Sequence, residues 1–446
     1  MTETGSPADE IREGAHDDGV SELLFRQRTL EKVALVALEA GRILMETGAK
    51  SAVVREGVKK VALGLGVKSA DIRVGFASIS TTVGDGVCSS THMIGVGHHG
   101  VNMRINHRVR EICAETGRGG LTADAVEKKL AAATTATPKH HKLLNVFAAG
   151  LACAAFGRLL GADAPAFVTT LIASMIGQYI RLMLLERHYN AFVVTATVAF
   201  AAAVLSGIGA MAMGSAMIDT SMSAAVLMLV PGVPSMNAQT DIMEGFPTLG
   251  SARFVTVAMI LVFITLGVGA AHIVLGGGLQ DAVKSAPNIA HHAFFGAVAA
   301  AGFGVLFNFG YRNLGWAALA GALALAVRTY CMLHGWPLEA ASFAAAMAVA
   351  LVVELSYNTP FPVRRVGNAI AVAGCIPMVP GSAAAQWIIG LLEITVQPLE
   401  KSDMMLAATT SAGLQVIFTV GAIGAGLTMV SSTFRRPEFP TRDHED

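Results

Sequence analysis

The stretch VLMLVPGVPSMNAQTD, residues 226–241, interrupts an apolar segment with proline and glycine and then becomes polar. A related stretch, CIPMVPGSAAAQ at residues 375–386, carries a second Pro-Gly pair within another apolar segment. Proline removes a backbone donor and glycine relaxes the chain, so both stretches predict a broken helix. In lipid, the freed backbone groups need partners inside the protein or beside a water-filled cavity. The two breaks therefore predict a polar site within a membrane.

The amino-acid composition indicates a membrane protein joined to a polar domain. The 446 residues are 53% hydrophobic and 14% charged, with a mean hydropathy of +0.56, whereas soluble domains carry roughly 25% charged residues. Residues 1–142 hold 36 of the 64 Asp, Glu, Lys and Arg residues. We therefore predict a disordered tail at 1–26, a cytoplasmic α+β domain at 27–140 and membrane helices from residue 143 onwards. The formal net charge of zero argues against nucleic acid as a partner.

Periodicity within the polar domain changes from helical to alternating and back. Helical spacing from Leu30 fades at Thr47, and Thr122 is a predicted N-cap. The turn Gly84-Asp85-Gly86 predicts a hairpin between two alternating runs. The predicted elements after the first helix are a helix at 51–65, strands at 72–83, 87–96 and 100–105, and helices at 106–116 and 123–133.

Metal, cofactor and catalytic sites are not predicted. The domain histidines fit no familiar zinc spacing, and no GxSxG, Walker or dinucleotide motif occurs in the chain. The five cysteines are scattered and are interpreted as small core residues. The histidines are His92, His98, His99, His107, His140 and His141, and the cysteines are Cys88, Cys113, Cys153, Cys331 and Cys375.

Apolar segments long enough to cross about 30 Å of hydrocarbon follow one another from residue 143. They predict an all-α bundle of about ten transmembrane helices, followed by a polar C-terminal tail at 435–446. Several segments are rich in Ala and Gly, which lets helices pack closely in lipid. The predicted spans are 143–161, 165–185, 191–212, 220–237, 251–275, 289–309, 314–332, 338–356, 366–390 and 404–430.

Ten spans divide into two five-helix repeats, 143–275 and 289–434. GQYIRLML at 177–184 echoes LAVRTYCML at 325–333, and each Pro-Gly break falls in the fourth span of its half. Because five is odd, the second half enters the membrane inverted relative to the first. Inverted repeats with paired broken helices are typical of transporters that alternate access around a central site.

The positive-inside rule supports ten spans with both termini in the cytoplasm. With that topology, eight basic residues lie on the cytoplasmic side and four on the far side. The eight are Arg181, Arg187, Arg253, Arg312, Arg364, Arg365, Arg435 and Arg436, and the four are Arg158, Lys284, Arg328 and Lys401.

The run Pro231, Gly232, Pro234 and Asn237 resembles the ProGly-x-Pro-x-x-Asn hallmark of the threonine/serine exporter family of bacterial inner membranes. LEAGRILMETGAKSAVVREGVKKVALGLGV is similar to the family's amino-terminal domain, and FGVLFNFGYRNL and IPMVPGSA are similar to its carboxy-terminal module. The resemblance implies a fused two-module exporter of small hydrophilic amino acids, threonine and serine, driven by the proton motive force. Some relatives carry the modules as separate chains, and one such pair is associated with succinate export.

A zwitterionic amino acid held within the membrane needs one partner for its carboxylate and one for its ammonium group. A helix that restarts after a break offers free N–H groups to an anion, which makes Gly232 and Gly381 candidates. The side chains of Asn237 and Gln386 can form hydrogen bonds with either the carboxylate or the ammonium group of the amino acid. The alternative is that both breaks are hinges or packed kinks. The full set of substrate-binding candidates is Pro231, Gly232, Pro234, Asn237, Asp241, Pro377, Pro380, Gly381 and Gln386.

Carboxylates inside the membrane are costly and are candidates for proton coupling. We name Glu354 and Asp241, although Glu354 could equally lie at the membrane edge. Asp219 is interpreted as a cap before Thr220, and Asn308 as an interhelical hydrogen-bonding residue. For a dicarboxylate substrate, a second anchor is expected among Arg181, Arg328, Arg364 and Arg365.

Two other classes of function stay open at this point. A membrane-anchored enzyme or sensor would act through residues 27–140, where no catalytic constellation is found. A channel would differ from an exporter because its flux would not respond to the proton gradient. ATP-driven transport is disfavoured by the missing nucleotide motif. The expected partners are a small solute, protons and the lipid bilayer. The sequence leaves the oligomeric state open, and a homo-oligomer is one of the alternatives.

Overall fold

A computed structural model of the protein describes residues 7–97, 99–275, 288–356, 367–381, 383, 386–387, 390, 394, 402–434 and 438–439. Within it the chain forms two compact units. The first contains residues 1–137 together with 437–446, and the second contains residues 138–436.

The N-terminal unit combines helices with one antiparallel sheet of order β1-β2-β3. Ile72 pairs with Thr81, and Thr81 pairs with His92 across the next strand. Thr122 caps the last helix by accepting a hydrogen bond from the amide of Ala125, as the sequence predicted. The elements are α1 (Pro7–Glu46), α2 (Ser51–Gly64), β1 (Ser69–Val74), β2 (Ser78–Gly84), β3 (Ser89–Gly95), α3 (Met103–Gly117) and α4 (Ala123–Thr135).

Three predictions for this unit were wrong in detail. The predicted strand 72–83 is two strands, because the amide of Gly75 bonds the carbonyl of Ser78 and turns the chain. The predicted strand 100–105 is instead the start of α3, since Asn102 caps the amide of Ile105. Residues 7–26, predicted to be disordered, belong to α1; proline suits the first turn of a helix.

The membrane unit consists of helices and short turns in two successive sets. The first set is α5 (Lys142–Leu159), α6 (Ala164–Glu186), α7 (Ala191–Ala212), α8 (Ile218–Ala225), α9 (Gly232–Met243) and α10 (Pro247–Leu275). The second set is α11 (Ile289–Leu306), α12 (Tyr311–Leu333), α13 (Leu338–Ser356), α14 (Gly367–Cys375) and α15 (Ser402–Phe434).

The two sets share the order of their elements up to the Pro-Gly pair. Both α5 and α11 have 18 residues, and both α6 and α12 have 23. A short helix and a three-residue 3₁₀ turn then precede the Pro-Gly pair in each set, at Leu227–Leu229 and Ile376–Met378. The two five-helix repeats at 143–275 and 289–434 stay predictions.

Large apolar side chains are exposed along several helices of this unit, for example Ile208, Phe254 and Leu319. Such continuous apolar surface is the face that a bilayer covers. Among the described residues, eight helices are long and apolar enough to cross a membrane, or nine if the bent pair α8–α9 is one span. The all-α membrane class is therefore confirmed, and the count of ten and the inverted relation stay predictions.

Small residues bring neighbouring helices into close contact, as the Ala/Gly-rich spans predicted. Gly296 of α11 lies opposite Gly321 of α12, and a Cβ atom at either would come within 2.8 Å or 2.5 Å of the other's carbonyl oxygen. Asn308, expected to bond between helices, instead follows α11 with φ +55 and bonds the backbone of Pro138 and His140. Its amide thus fixes the segment that leads into α5.

Candidate functional site

The two Pro-Gly breaks have the same backbone geometry. Val230 has φ −64 and ψ 123, and Val379 has φ −63 and ψ 125. In each break the glycine amide donates to the valine carbonyl two residues earlier, over 2.9 Å at Gly232 and 2.8 Å at Gly381. Pro231, with φ −81 and ψ 68, is the centre of an inverse γ-turn. Each helix is thus broken by a 3₁₀ turn followed by a γ-turn.

This geometry corrects the role expected for the two glycine amides. We predicted that Gly232 and Gly381 offer free N–H groups, but both amides are used inside the γ-turns. Pro234, in the first turn of α9, has no N–H group to offer. The positive end of the α9 dipole remains, and the amide of Val233 is the donor nearest the break.

The two breaks contact one another reciprocally. A Cβ atom on Gly381 would lie 2.6 Å from Cδ2 of Leu227, and one on Gly232 would lie 3.4 Å from Cγ1 of Ile376. Leu227 and Ile376 are the equivalent first residues of the two 3₁₀ turns. Each turn therefore packs on the glycine of the other break, and Pro377 is buried in this contact region with Ile376 and Met378.

Asp241 near the end of α9 forms a buried ion pair with Arg253 of α10. Nη1 of Arg253 lies 2.8 Å from Oδ2 of Asp241, and the side chains are 7% and 0% exposed. The sequence identified Asp241 as a candidate but not its partner, because Arg253 was interpreted only as a cytoplasmic-side charge. The twelve-residue spacing carries no local signal, since the two residues lie on different helices.

Asn237 and Gln239 follow the first break on α9. Asn237 is half-buried, and Nε2 of Gln239 donates to the carbonyl of Gly421 on α15 over 2.7 Å. Gln239 therefore joins the break in the first set of helices to the last helix of the second set. The predicted counterpart Gln386 is exposed and so is not part of the buried contact, and Pro380 is half-buried beside Gly381.

Glu354 is buried near the end of α13, with 7% of the residue exposed. Its assignment as an intramembrane carboxylate stays a prediction. Arg328 on α12 donates to the carbonyl of Met378 over 3.1 Å, so it contacts the second break directly. Arg364 and Arg365 lie outside the described residues.

Two further polar groups were missed or underrated by the sequence reasoning. Asp219, interpreted as a cap, lies with Oδ1 3.6 Å from Nδ1 of the buried His272 on α10. Ser221 of α8 lies with its hydroxyl 2.6 Å from that of Ser206 and 3.1 Å from that of Thr170. Hydroxyl groups within an apolar bundle bond across helices; their wide sequence separation hid this cluster.

Three histidines of the polar domain that the structure describes have ordinary structural contacts. His92 bonds Ser90, His99 stacks on Phe76, and His107 pairs with Glu111. Among the residues that the structure describes, no group of three or more His, Cys, Asp or Glu side chains is arranged to hold a metal ion. His98 lies outside those residues.

An open cleft of about 600 Å³ lies elsewhere on the membrane unit, between the start of α13 and α15. It is lined by Glu339 and by residues of α15 from Leu406 to Phe418. None of the predicted substrate-binding residues lines this cleft. The reciprocal contact of the two breaks, rather than this surface cleft, is therefore the candidate functional site.

Membrane-spanning helices, tandem sets and two paired breaks with buried charges define a multi-pass membrane transport protein. The chain belongs to the threonine/serine exporter family. The family described as "Putative threonine/serine exporter" matches residues 35–275, and the one described as "Threonine/Serine exporter, ThrE" matches residues 292–433.

Two bacterial relatives each match about half of the chain. The chain is similar to "Probable succinate transporter subunit YjjP" of Escherichia coli (strain K12), with 30% identity over 241 residues, 53% of this chain and 92% of the relative. The protein of the same description in Klebsiella aerogenes is 28% identical and covers 53% of this chain, with 91% of its own length matched. No solved structure matches the chain.

Proposed function

We propose that the protein is a secondary active exporter of small hydrophilic amino acids, with threonine and serine as first candidates, driven by the proton motive force. It would lie in the bacterial inner membrane with both termini in the cytoplasm. Family membership supports the exporter class. The observation that carries the proposed mechanism is the reciprocal contact of the two helix breaks.

Alternating access follows from that contact if the halves are inverted repeats. A twofold relation between the halves exchanges Leu227 with Ile376 and Gly232 with Gly381, so each contact is the image of the other. A rocking motion about such an axis opens one side as it closes the opposite side. The γ-turns at the prolines are the rigid points around which the flanking helices would move.

The solute is proposed to bind beside the first break. The α9 dipole and the amide of Val233 favour the substrate carboxylate, and the half-buried side chain of Asn237 can bond either end of the amino acid. Because each γ-turn already satisfies its own glycine amide, Gly232 and Gly381 serve mainly as close-packing positions.

Proton coupling is proposed to run through Asp241, with Glu354 as the second candidate. A carboxylate can hold a proton or pair with the substrate ammonium, but it cannot do both at once. Export driven by inward proton movement needs this competition. Arg253 lies 2.8 Å from Asp241 and would compete with the substrate ammonium for the same carboxylate.

A dicarboxylate such as succinate is the second candidate substrate. The relatives described as probable succinate transporter subunits motivate it, and Arg328 lies at the second break, where it could hold a second carboxylate. An amino acid needs no such arginine. Loss of transport in Arg328→Gln with retained folding would therefore favour the dicarboxylate.

The substrate class is tested by efflux from preloaded proteoliposomes with threonine, serine and succinate in parallel, each with and without a protonophore. Gradient-dependent efflux of threonine or serine that Asn237→Ala reduces at least tenfold supports the proposal. Asn313→Ala, a half-buried asparagine on α12, is the matched control. Efflux of succinate alone transfers the proposal to the dicarboxylate, and efflux that ignores the gradient refutes the coupled mechanism.

Coupling is tested by separating gradient-driven transport from substrate exchange. Asp241→Asn should lose accumulation driven by the gradient but keep part of the exchange of labelled for unlabelled substrate, because the α9 dipole and Asn237 still hold the substrate carboxylate. Glu354→Gln is assayed in the same way, with Glu339→Gln at the other end of α13 as its matched control. If both Asp241→Asn and Glu354→Gln retain gradient-driven transport, neither carboxylate carries the proton.

A further inference from the structure

Two residues near the C-terminus, Glu438 and Phe439, belong to the N-terminal unit rather than to the membrane unit that precedes them in the chain. They lie in the sequence RRPEFP, residues 435–440, directly after α15. The sequence alone predicted only a polar tail in this region. The chain therefore returns to its first domain after the last membrane helix.

The carboxylate of Glu438 is held by two cations from different elements. Oε1 lies 2.9 Å from Nζ of Lys50, at the start of α2, and Oε2 lies 3.2 Å from Nη1 of Arg110 on α3. Arg110 also donates to the backbone carbonyl of Glu438 over 3.3 Å. Burial raises the pKa of Glu438, but the two cations outweigh this effect and hold the pKa below its usual value.

Hydrogen bonds within the N-terminal unit orient the Arg110 side chain toward the C-terminal segment. Its Nε atom donates to Oδ1 of Asn106 over 2.9 Å, and the Asn106 amide donates to the hydroxyl of Thr47 over 3.1 Å. Asn106 is itself buried. The charged half of the pocket is thus preorganised by the domain's own hydrogen bonds, which reduces the entropy lost on binding.

The ring of Phe439 fills the apolar half of the pocket and is 3% exposed. Lys60 of α2 lies over the ring, 5.4 Å from its centroid, a cation–π geometry. Gly57, one turn earlier on α2, lies beside the ring, since a Cβ atom there would be at van der Waals distance, 3.4 Å, from Cζ of Phe439. Charge and shape together select an acidic residue followed by an aromatic one.

We propose that this pocket of the N-terminal unit is a specific binding site for the chain's own Glu-Phe segment, which acts as a reversible latch. Prolines at 437 and 440 flank the pair in the sequence, and proline disfavours continuation of a helix. When latched, Glu438 and Phe439 are held on the N-terminal unit by ion pairs and by burial of the ring. This proposal does not depend on the transported solute.

The first test uses a rhodamine-labelled peptide of residues 434–446 and two purified proteins, the full chain and a chain ending at Arg436. The shortened chain should bind the peptide at least tenfold more tightly than the full chain, whose pocket is occupied. Glu438→Gln or Phe439→Ala in the peptide should weaken binding at least tenfold. Asp443→Asn in the peptide, which changes an acid outside the pair, should not.

Equal affinity of the Phe439→Ala and original peptides, or equal binding to the full and shortened chains, would overturn the proposal. A second measurement covers the case in which the shortened chain is poorly folded. In the full chain, Phe439→Ala should speed tryptic cleavage between Arg435 and Arg436 at least fivefold, with Asp443→Asn as control. An unchanged cleavage rate would also count against the latch.

Discussion

The buried ion pair between Asp241 and Arg253 gives the sharpest energetic prediction. The two charged atoms lie 2.8 Å apart and the side chains are almost fully buried. Removing one partner leaves an uncompensated buried charge, which costs about 3–5 kcal/mol. Asp241→Asn and Arg253→Met should therefore each destabilise the membrane unit by about this amount.

The double variant should recover most of this loss, because it leaves neither charge unpaired. Replacing a whole buried pair by uncharged residues often changes stability little. The free energy of unfolding of the double variant should therefore exceed that of either single variant by at least about 2 kcal/mol. That coupling is the quantity a double-mutant cycle isolates. An exposed pair in the same unit, Lys142 with Glu186 at 2.6 Å, supplies the control. Glu186→Gln should cost less than about 1 kcal/mol.

Thermal unfolding of the purified protein in detergent measures all four variants. For a domain of 150–250 residues or slightly more, each kcal/mol of lost stability lowers Tm by about 2 °C. Each single variant at the pair should therefore lower Tm by roughly 6–10 °C. The exposed control should shift Tm by about 2 °C or less. The reasoning is refuted if the single variants behave like Glu186→Gln, or if the double variant is as unstable as the worse single one.

Three further predictions concern separate parts of the chain. Burial raises the pKa of the Cys113 thiol to about 12, so maleimide at neutral pH should label the half-buried Cys88 and leave Cys113 unmodified unless the protein is unfolded. The two cationic partners of Glu438 lower its pKa against the opposing effect of burial. The latch should therefore persist above about pH 4.5 and weaken as the pH falls through the lowered pKa. Peptide binding measured between pH 7 and pH 3.5 tests this. Gly381→Ala should lower Tm more than Gly232→Ala, because the added Cβ would meet its neighbour at 2.6 Å rather than 3.4 Å; overpacking costs about 1–3 kcal/mol, and equal effects would contradict the reciprocal contact.

The membrane helices could be predicted closely from the sequence. The predicted spans 191–212 and 338–356 coincide with α7 and α13. Long apolar runs bounded by polar or glycine residues carry this information locally, because a helix in lipid satisfies its own backbone. The positions of the two breaks were equally local, since proline disrupts a helix wherever it stands within the chain.

The sheet shows where local patterns mislead. Ile72, Val74, Phe76 and Ile79 alternate almost continuously, and this pattern predicted one strand. The turn at Gly75 divides it, and the alternation resumes in the next strand because antiparallel neighbours share one buried face. The cap at Asn102 was a local signal that could have placed the start of α3.

The sequence by itself determined the class of the protein, the extent of its helices and the residues at which two of them break. Only the tertiary structure decided which residues meet: Asp241 with Arg253, each break with the other's glycine, and Glu438 with the first domain. Helix formation and breakage depend on neighbours within a few residues. Which residues contact one another depends on which helix faces pack together, and that packing involves segments far apart in the chain.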